Sequence, residues 1–98
     1  MRLSEKQKKH LRRLAHPLHP LVMLGNAGLT DGVVNELERA LKDHELVKVS
    51  ARVGERAARN AALDDLARRT GAGLVQRIGH VGVFYRPLPL PKILLPDE

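Results

Sequence analysis

Cysteine is absent from this 98-residue chain, which excludes a disulfide framework, a thiolate zinc site and a cysteine nucleophile. Tryptophan is absent too, and Phe84 and Tyr85 are the only aromatic residues. Rows of stacked rings, the means by which RRM sheets and OB-folds hold single strands, have no material here. Acidic side chains are outnumbered, 11 Asp and Glu against 17 Lys and Arg, for a formal charge of +6. The expected partner is a polyanion such as RNA or DNA, gripped through backbone phosphates and shape. Apolar runs never approach the ~18 residues of a membrane span, so no membrane partner is expected. The N-terminus is charged from Arg2 to Arg13 and lacks the apolar stretch of a secretory signal, which makes the cytoplasm the expected compartment. What is present, 43% hydrophobic and 29% charged residues, suits one small globular domain.

Ser4 is a good N-cap, and Gln7 completes a capping box ahead of a helix over residues 5–15 that ends at His16-Pro17. Gln7, Leu11, Leu14 and Ala15 share one side of that helix, and Lys6, Lys8, Lys9, Arg12 and Arg13 fill the other. Residues 1–13 hold six basic side chains and one acid, nearly the whole charge excess of the chain. A proline-stiffened connector leads to Leu21-Val22-Met23-Leu24, whose unbroken apolar run predicts a buried strand of a partly parallel sheet. Gly25-Asn26-Ala27-Gly28 forms a tight loop. Thr30 caps a second helix with Val33, Val34, Leu37, Ala40 and Leu41 as its inward stripe.

Alternation from Val47 to Arg52 predicts another strand, which Gly54 breaks. A helix from Glu55 to Thr70 follows, closed by Gly71; its pattern is weak, because alanines are scattered around it. Residues 74–78 and 81–85 form a hairpin on Gly79-His80. Three prolines after Pro87 forbid a helix, so the tail at 88–98 is extended, docked or partly disordered. Right-handed crossovers place both connecting helices on one side of the sheet. The expected architecture is a two-layer α/β domain over residues 1–87 with an additional N-terminal helix.

The stretches Leu14-Ala15-His16-Pro17-Leu18, Gly25-Asn26-Ala27-Gly28-Leu29-Thr30, His44-Glu45-Leu46-Val47-Lys48-Val49 and Tyr85-Arg86-Pro87 resemble the YhbY proteins. These are the stand-alone bacterial form of the CRM (chloroplast RNA splicing and ribosome maturation) domain. The resemblance spans residues 3–87. It implies a four-stranded mixed sheet of order 1-2-4-3 with the fourth strand antiparallel, as in the C-terminal domain of translation initiation factor three. It implies RNA binding without catalysis and, for the bacterial members, association with precursors of the large ribosomal subunit and their rRNA. Plant relatives carry the domain in intron-splicing factors. The family's RNA-contacting glycine loop falls on Gly25 and Gly28. Many relatives place a basic residue between those glycines, where this chain has Asn26 and Ala27.

The residues themselves supply a physical account of such binding. Glycines without Cβ let main-chain N–H groups approach a phosphate, and the loop feeds a helix whose first amides are unpaired. Asn26 can donate to a phosphate, a 2′-OH or a base edge. Lys6, Lys9 and Arg13 form one cationic row on the first helix, and Lys8 and Arg12 a second. Arg52, Arg77 and Arg86 either extend the patch across the sheet or are solvent-side strand residues. The candidate RNA-contacting set is therefore Lys6, Lys8, Lys9, Arg12, Arg13, Gly25, Asn26, Ala27, Gly28, Thr30, Arg52, Arg77 and Arg86.

No metal or cofactor is expected. His16 and His19 lack a third ligand at helpful spacing, and Asp64 and Asp65 point ~100° apart on a helix. A monomer is expected. Two other functions compete. A small enzyme acting on a phosphate ligand would lack the P-loop Lys-Ser/Thr and the G-x-G-x-x-G pattern. A protein-interaction module would use the acidic helix at 31–43 or the Leu-Pro tail.

Overall fold

The Ser4 hydroxyl accepts the Gln7 N–H at 3.1 Å, and the Gln7 side chain accepts the Ser4 N–H at 3.0 Å. This reciprocal box starts α1 (Glu5–Ala15) in the computed structural model, which describes residues 1–98. The remaining elements are β1 (Val22–Leu24), α2 (Asp31–Asp43), β2 (Leu46–Ala51), α3 (Arg56–Thr70), β3 (Gly73–Ile78) and β4 (Val81–Tyr85). The strands form one sheet of order β1-β2-β4-β3. β1 runs parallel to β2, and β4 is antiparallel to both of its neighbours. The expected mixed sheet and its 1-2-4-3 order are the observed ones.

Period-two alternation divides the core between the two faces of the sheet. On one face Val22, Leu24, Val47, Val49, Ala51 and Phe84 meet Leu37 and Leu41 of α2 and Leu63 and Leu66 of α3. On the other, Leu46, Val75, Val83 and Tyr85 meet Leu11 and Ala15 of α1. Each fully buried Leu or Phe stabilises the fold by about 1.5–3 kcal/mol over an exposed one. The extra N-terminal helix is thus a cover for the second face. Phe84 and Tyr85 are both buried, one on each side, so neither ring is free to stack on a base.

Two apolar expectations are corrected. Leu14 is 40% exposed, because Leu11 and Ala15 alone fill the contact and Leu14 falls on the flank of α1 turned from the sheet. Leu21 and Met23 are 56% and 54% exposed. β1 is an edge strand, and α1 packs on β2, β3 and β4 without covering it, so only Val22 and Leu24 are enclosed.

The tail is docked, without helix or strand. Ile93 and Leu95 pack on the α1-side core, and the Gln7 side-chain amide donates to the Pro96 carbonyl at 3.1 Å. Its anchor is Glu45, only 3% exposed, whose carboxylate accepts N–H groups from Leu88 at 2.9 Å, Lys92 at 2.8 Å and Ile93 at 2.7 Å. Burial alone would push this carboxyl up; the three N–H donors and the Lys92 charge outweigh burial and hold it below its ordinary 4.5. Burial, reinforced by the Glu45 charge, pushes the Tyr85 phenol above 10.0.

Candidate nucleic-acid interface

α1 covers only one end of its sheet face. Leu11 and Ala15 share a core with Leu46 at the start of β2 and Tyr85 at the end of β4. Towards Ile78 and Val81 the face opens into a cleft of about 950 Å³. Lys9, Arg12, Arg13 and His16 form its wall. Lys48, Gln76, Ile78, Val81 and Val83 form its floor. The β3 bulge between Leu74 and Gln76 turns both Val75 and Gln76 to this side.

No carboxylate lines the cleft. Lys9, Arg12 and Arg13 take part in none of the intramolecular ion pairs, so their charge is available to a ligand. Lys48 adds a fourth cation. Its ammonium donates to the His16 and Leu18 carbonyls at 3.3 and 3.0 Å, tying the proline connector to β2.

Strand register places the glycine loop at the far end of this open face. Leu24 pairs with Ala51 and Ser50 with Val81. The Arg52 N–H donates to the Leu24 carbonyl at 2.7 Å, and the Ala51 N–H to the His80 carbonyl at 2.6 Å. The Gly25–Gly28 loop, Arg52 and the Gly79-His80 turn therefore share one end of the sheet, and the cleft runs from the cationic wall towards it.

The loop is a turn closed by one backbone hydrogen bond. The Gly28 N–H is taken by the Gly25 carbonyl at 2.9 Å, and the Thr30 hydroxyl by the Val33 N–H at 3.3 Å. Asp31, whose charge would oppose a phosphate, is paired with Arg69 at 2.8 Å. Gly25, Asn26 and Ala27 are exposed. Gly28 has φ +76°, a left-handed conformation, whereas Gly25 has an ordinary φ and open space at its Cβ position. Gly28→Ala should cost about 1 kcal/mol, and Gly25→Ala should change stability by no more than about 0.5 kcal/mol in urea unfolding. A loss of RNA affinity on Gly25→Ala would then report contact and not misfolding.

Other members of the sequence-derived set are dispersed. Lys6 is exposed on α1 outside the cleft lining, and Arg52 is exposed beyond β2. Lys8 lies 3.7 Å from Glu5 and faces a separate depression with Met1, Arg2, Leu3 and Gly73. Arg77 turns to the opposite sheet face, 2.6 Å from Asp64. Arg86 is withdrawn from any surface patch: its guanidinium donates to both Glu38 oxygens, at 2.9 and 3.0 Å, and to the Thr70 carbonyl at 2.7 Å. Sequence reasoning missed Lys48 and the cleft floor. Their only signal was a lysine at an outward position of an otherwise apolar strand.

An α/β domain whose second sheet face is left partly open and walled by unpaired cations belongs to the class that fits an anionic polymer. The chain is a member of the CRS1/YhbY (CRM) domain family, whose model matches residues 3–86. It is 49% identical over 96 residues, 98% of this chain and 97% of the relative, to a Haemophilus influenzae protein named RNA-binding protein. It is 45% identical over 92 residues to one from Pseudomonas aeruginosa named a probable RNA-binding protein, covering 94% of this chain and 88% of that one. The solution structure of a Staphylococcus aureus protein described as a candidate RNA binder superposes with a TM-score of 0.85 at 31% identity, over 97% of this chain and 100% of that one.

Proposed function

We propose that this chain is a non-catalytic RNA-binding protein, cytoplasmic and monomeric, that holds large-subunit rRNA in ribosomal precursors. The observation that carries RNA binding is the wall of Lys9, Arg12 and Arg13, unpaired along an open cleft without a carboxylate. The names of the close relatives support the same reading. The rRNA target rests on the resemblance to the stand-alone bacterial CRM proteins. With two buried aromatics, affinity must come from the phosphate backbone and be strongly salt-dependent.

The test is binding of the purified protein to fragments of large-subunit rRNA at graded salt. If roughly four to six phosphates are neutralised, log K should fall with log salt at a slope of roughly −3 to −5. Co-sedimentation with large-subunit precursors is expected from the same reading. Absence of retention on structured rRNA in dilute buffer would overturn the proposal. Retention on RNA without co-sedimentation would overturn its ribosomal part.

A further inference from the structure

Across the sheet from the cleft, the first turns of α3 and the β3–β4 turn enclose a second recess of about 330 Å³. Its lining is Arg56, Arg59, Asn60, Arg77 and Gly79, without an apolar side chain. Of the three guanidiniums, only Arg77 has an acidic partner, Asp64 at 2.6 Å; Arg56 and Arg59 have none. Glu55 at the N-cap gives no side-chain bond to the first N–H groups of α3, so the positive end of that helix dipole is uncapped beside the recess. The Arg59 Nε–H is buried and has no hydrogen-bond partner. Such an orphan donor is costly unless a ligand accepts from it. An acceptor-only oxyanion is the chemistry that answers all these features, and phosphate matches the planar fork of a guanidinium.

The position says which phosphate. On β3, Gln76 and Ile78 line the cleft, while Arg77 between them lines the recess. β3 is an edge strand, so one backbone can pass around it without crossing the sheet. We propose that the recess binds a phosphodiester of the same RNA that lies in the cleft, so that the RNA straddles β3 at the Gly79-His80 turn. This rests on the RNA-binding reading and adds a second contact to it.

The test compares the parent, an Arg56→Gln/Arg59→Gln double variant and a Lys9→Gln/Arg12→Gln/Arg13→Gln triple variant on one large-subunit rRNA fragment over a salt series. Circular dichroism verifies folding. The double variant should bind about tenfold more weakly, with a salt slope shallower by roughly 1–2. In ¹⁵N-arginine-labelled parent, the Arg59 Nε–H resonance should move on addition of the RNA. Movement with inorganic phosphate but not with RNA would assign the recess to a free anion and overturn the inference. A parent that binds RNA, with a weakened triple variant and an unaltered double variant, overturns the inference alone. A parent that does not bind at all removes the RNA reading, and the inference with it. Arg56→Gln alone, at an exposed position, keeps the comparison open should the double variant unfold.

Discussion

Replacing Lys9, Arg12 and Arg13 together by glutamate is expected to abolish binding to structured rRNA, with an affinity loss of at least about a thousandfold near ~0.15 M salt. The chain goes from a formal +6 to neutral, and the cleft wall changes from three cations to three anions. A unit charge pair at ~4 Å contributes about 1 kcal/mol in water and about 4 kcal/mol at the effective dielectric of a protein surface. Three attractions lost and three repulsions gained therefore exceed the about 4 kcal/mol of a thousandfold change, even at the lower figure.

The fold should survive, because α1 docks through Leu11 and Ala15 on its other side. Arg12 and Arg13 also sit in the last turn of α1, where cations favour the helix dipole, so stability should fall by about 1–2 kcal/mol. Lys8→Glu is the control for a single reversal outside the cleft: Lys8 lies beside Glu5, and its reversal should change affinity only a few-fold. Filter binding of the triple variant and the control at one salt concentration separates the two readings. Equal affinities would show that the wall is not the contact surface.

The cationic wall was legible in the sequence because it is local. Ser4, Gln7 and the Pro17 stop define α1, and 100° spacing then assigns its faces from residues within three turns of one another. The same locality made Thr30, the hairpin and the strand limits readable. The order 1-2-4-3 was not contained in any such pattern; it came from the family resemblance. Where side chains answer to distant partners, the reading ran out. Arg86 follows a strand and looks solvent-facing, yet Glu38, 48 residues away, and the Thr70 carbonyl claim it. Met23 sits in an apolar run that reads as buried, and its exposure follows from where α1 stops. Arg56 and Arg59 were lost among the scattered alanines of α3, because the recess they line exists only once β3 turns at Gly79. Nothing near Glu45 in the sequence marks it as an anchor, since its partners lie 43 to 48 residues further on.

Glu45→Ala is expected to release the tail and to cost about 2–4 kcal/mol of stability. Three backbone donors lose a charged acceptor, each such bond contributing about 1.5–3 kcal/mol. The sum is not realised in full, because the freed N–H groups reach water once the tail lifts. Lifting also exposes Ile93, Leu95 and the core surface they cover. Acid should imitate the substitution. The folded-state carboxyl titrates below its ordinary 4.5, so its contribution is complete above that value and disappears as pH falls through the lower folded-state value. Glu45→Gln keeps the shape but offers one acceptor oxygen and turns an amide N–H₂ towards donors, so it should be destabilised at neutral pH and lose this acid dependence. Hydrogen exchange at the Lys92 and Ile93 amides reads the docking directly. Loss of protection, taken relative to the intrinsic exchange rate at each pH, is the expected pattern in Glu45→Ala, and in the parent only at low pH; protected amides in Glu45→Ala would show that the apolar contacts hold the tail unaided. No tail residue lines the cleft, so the same variant should retain RNA affinity while it is folded, which separates the anchor of the fold from the surface that binds.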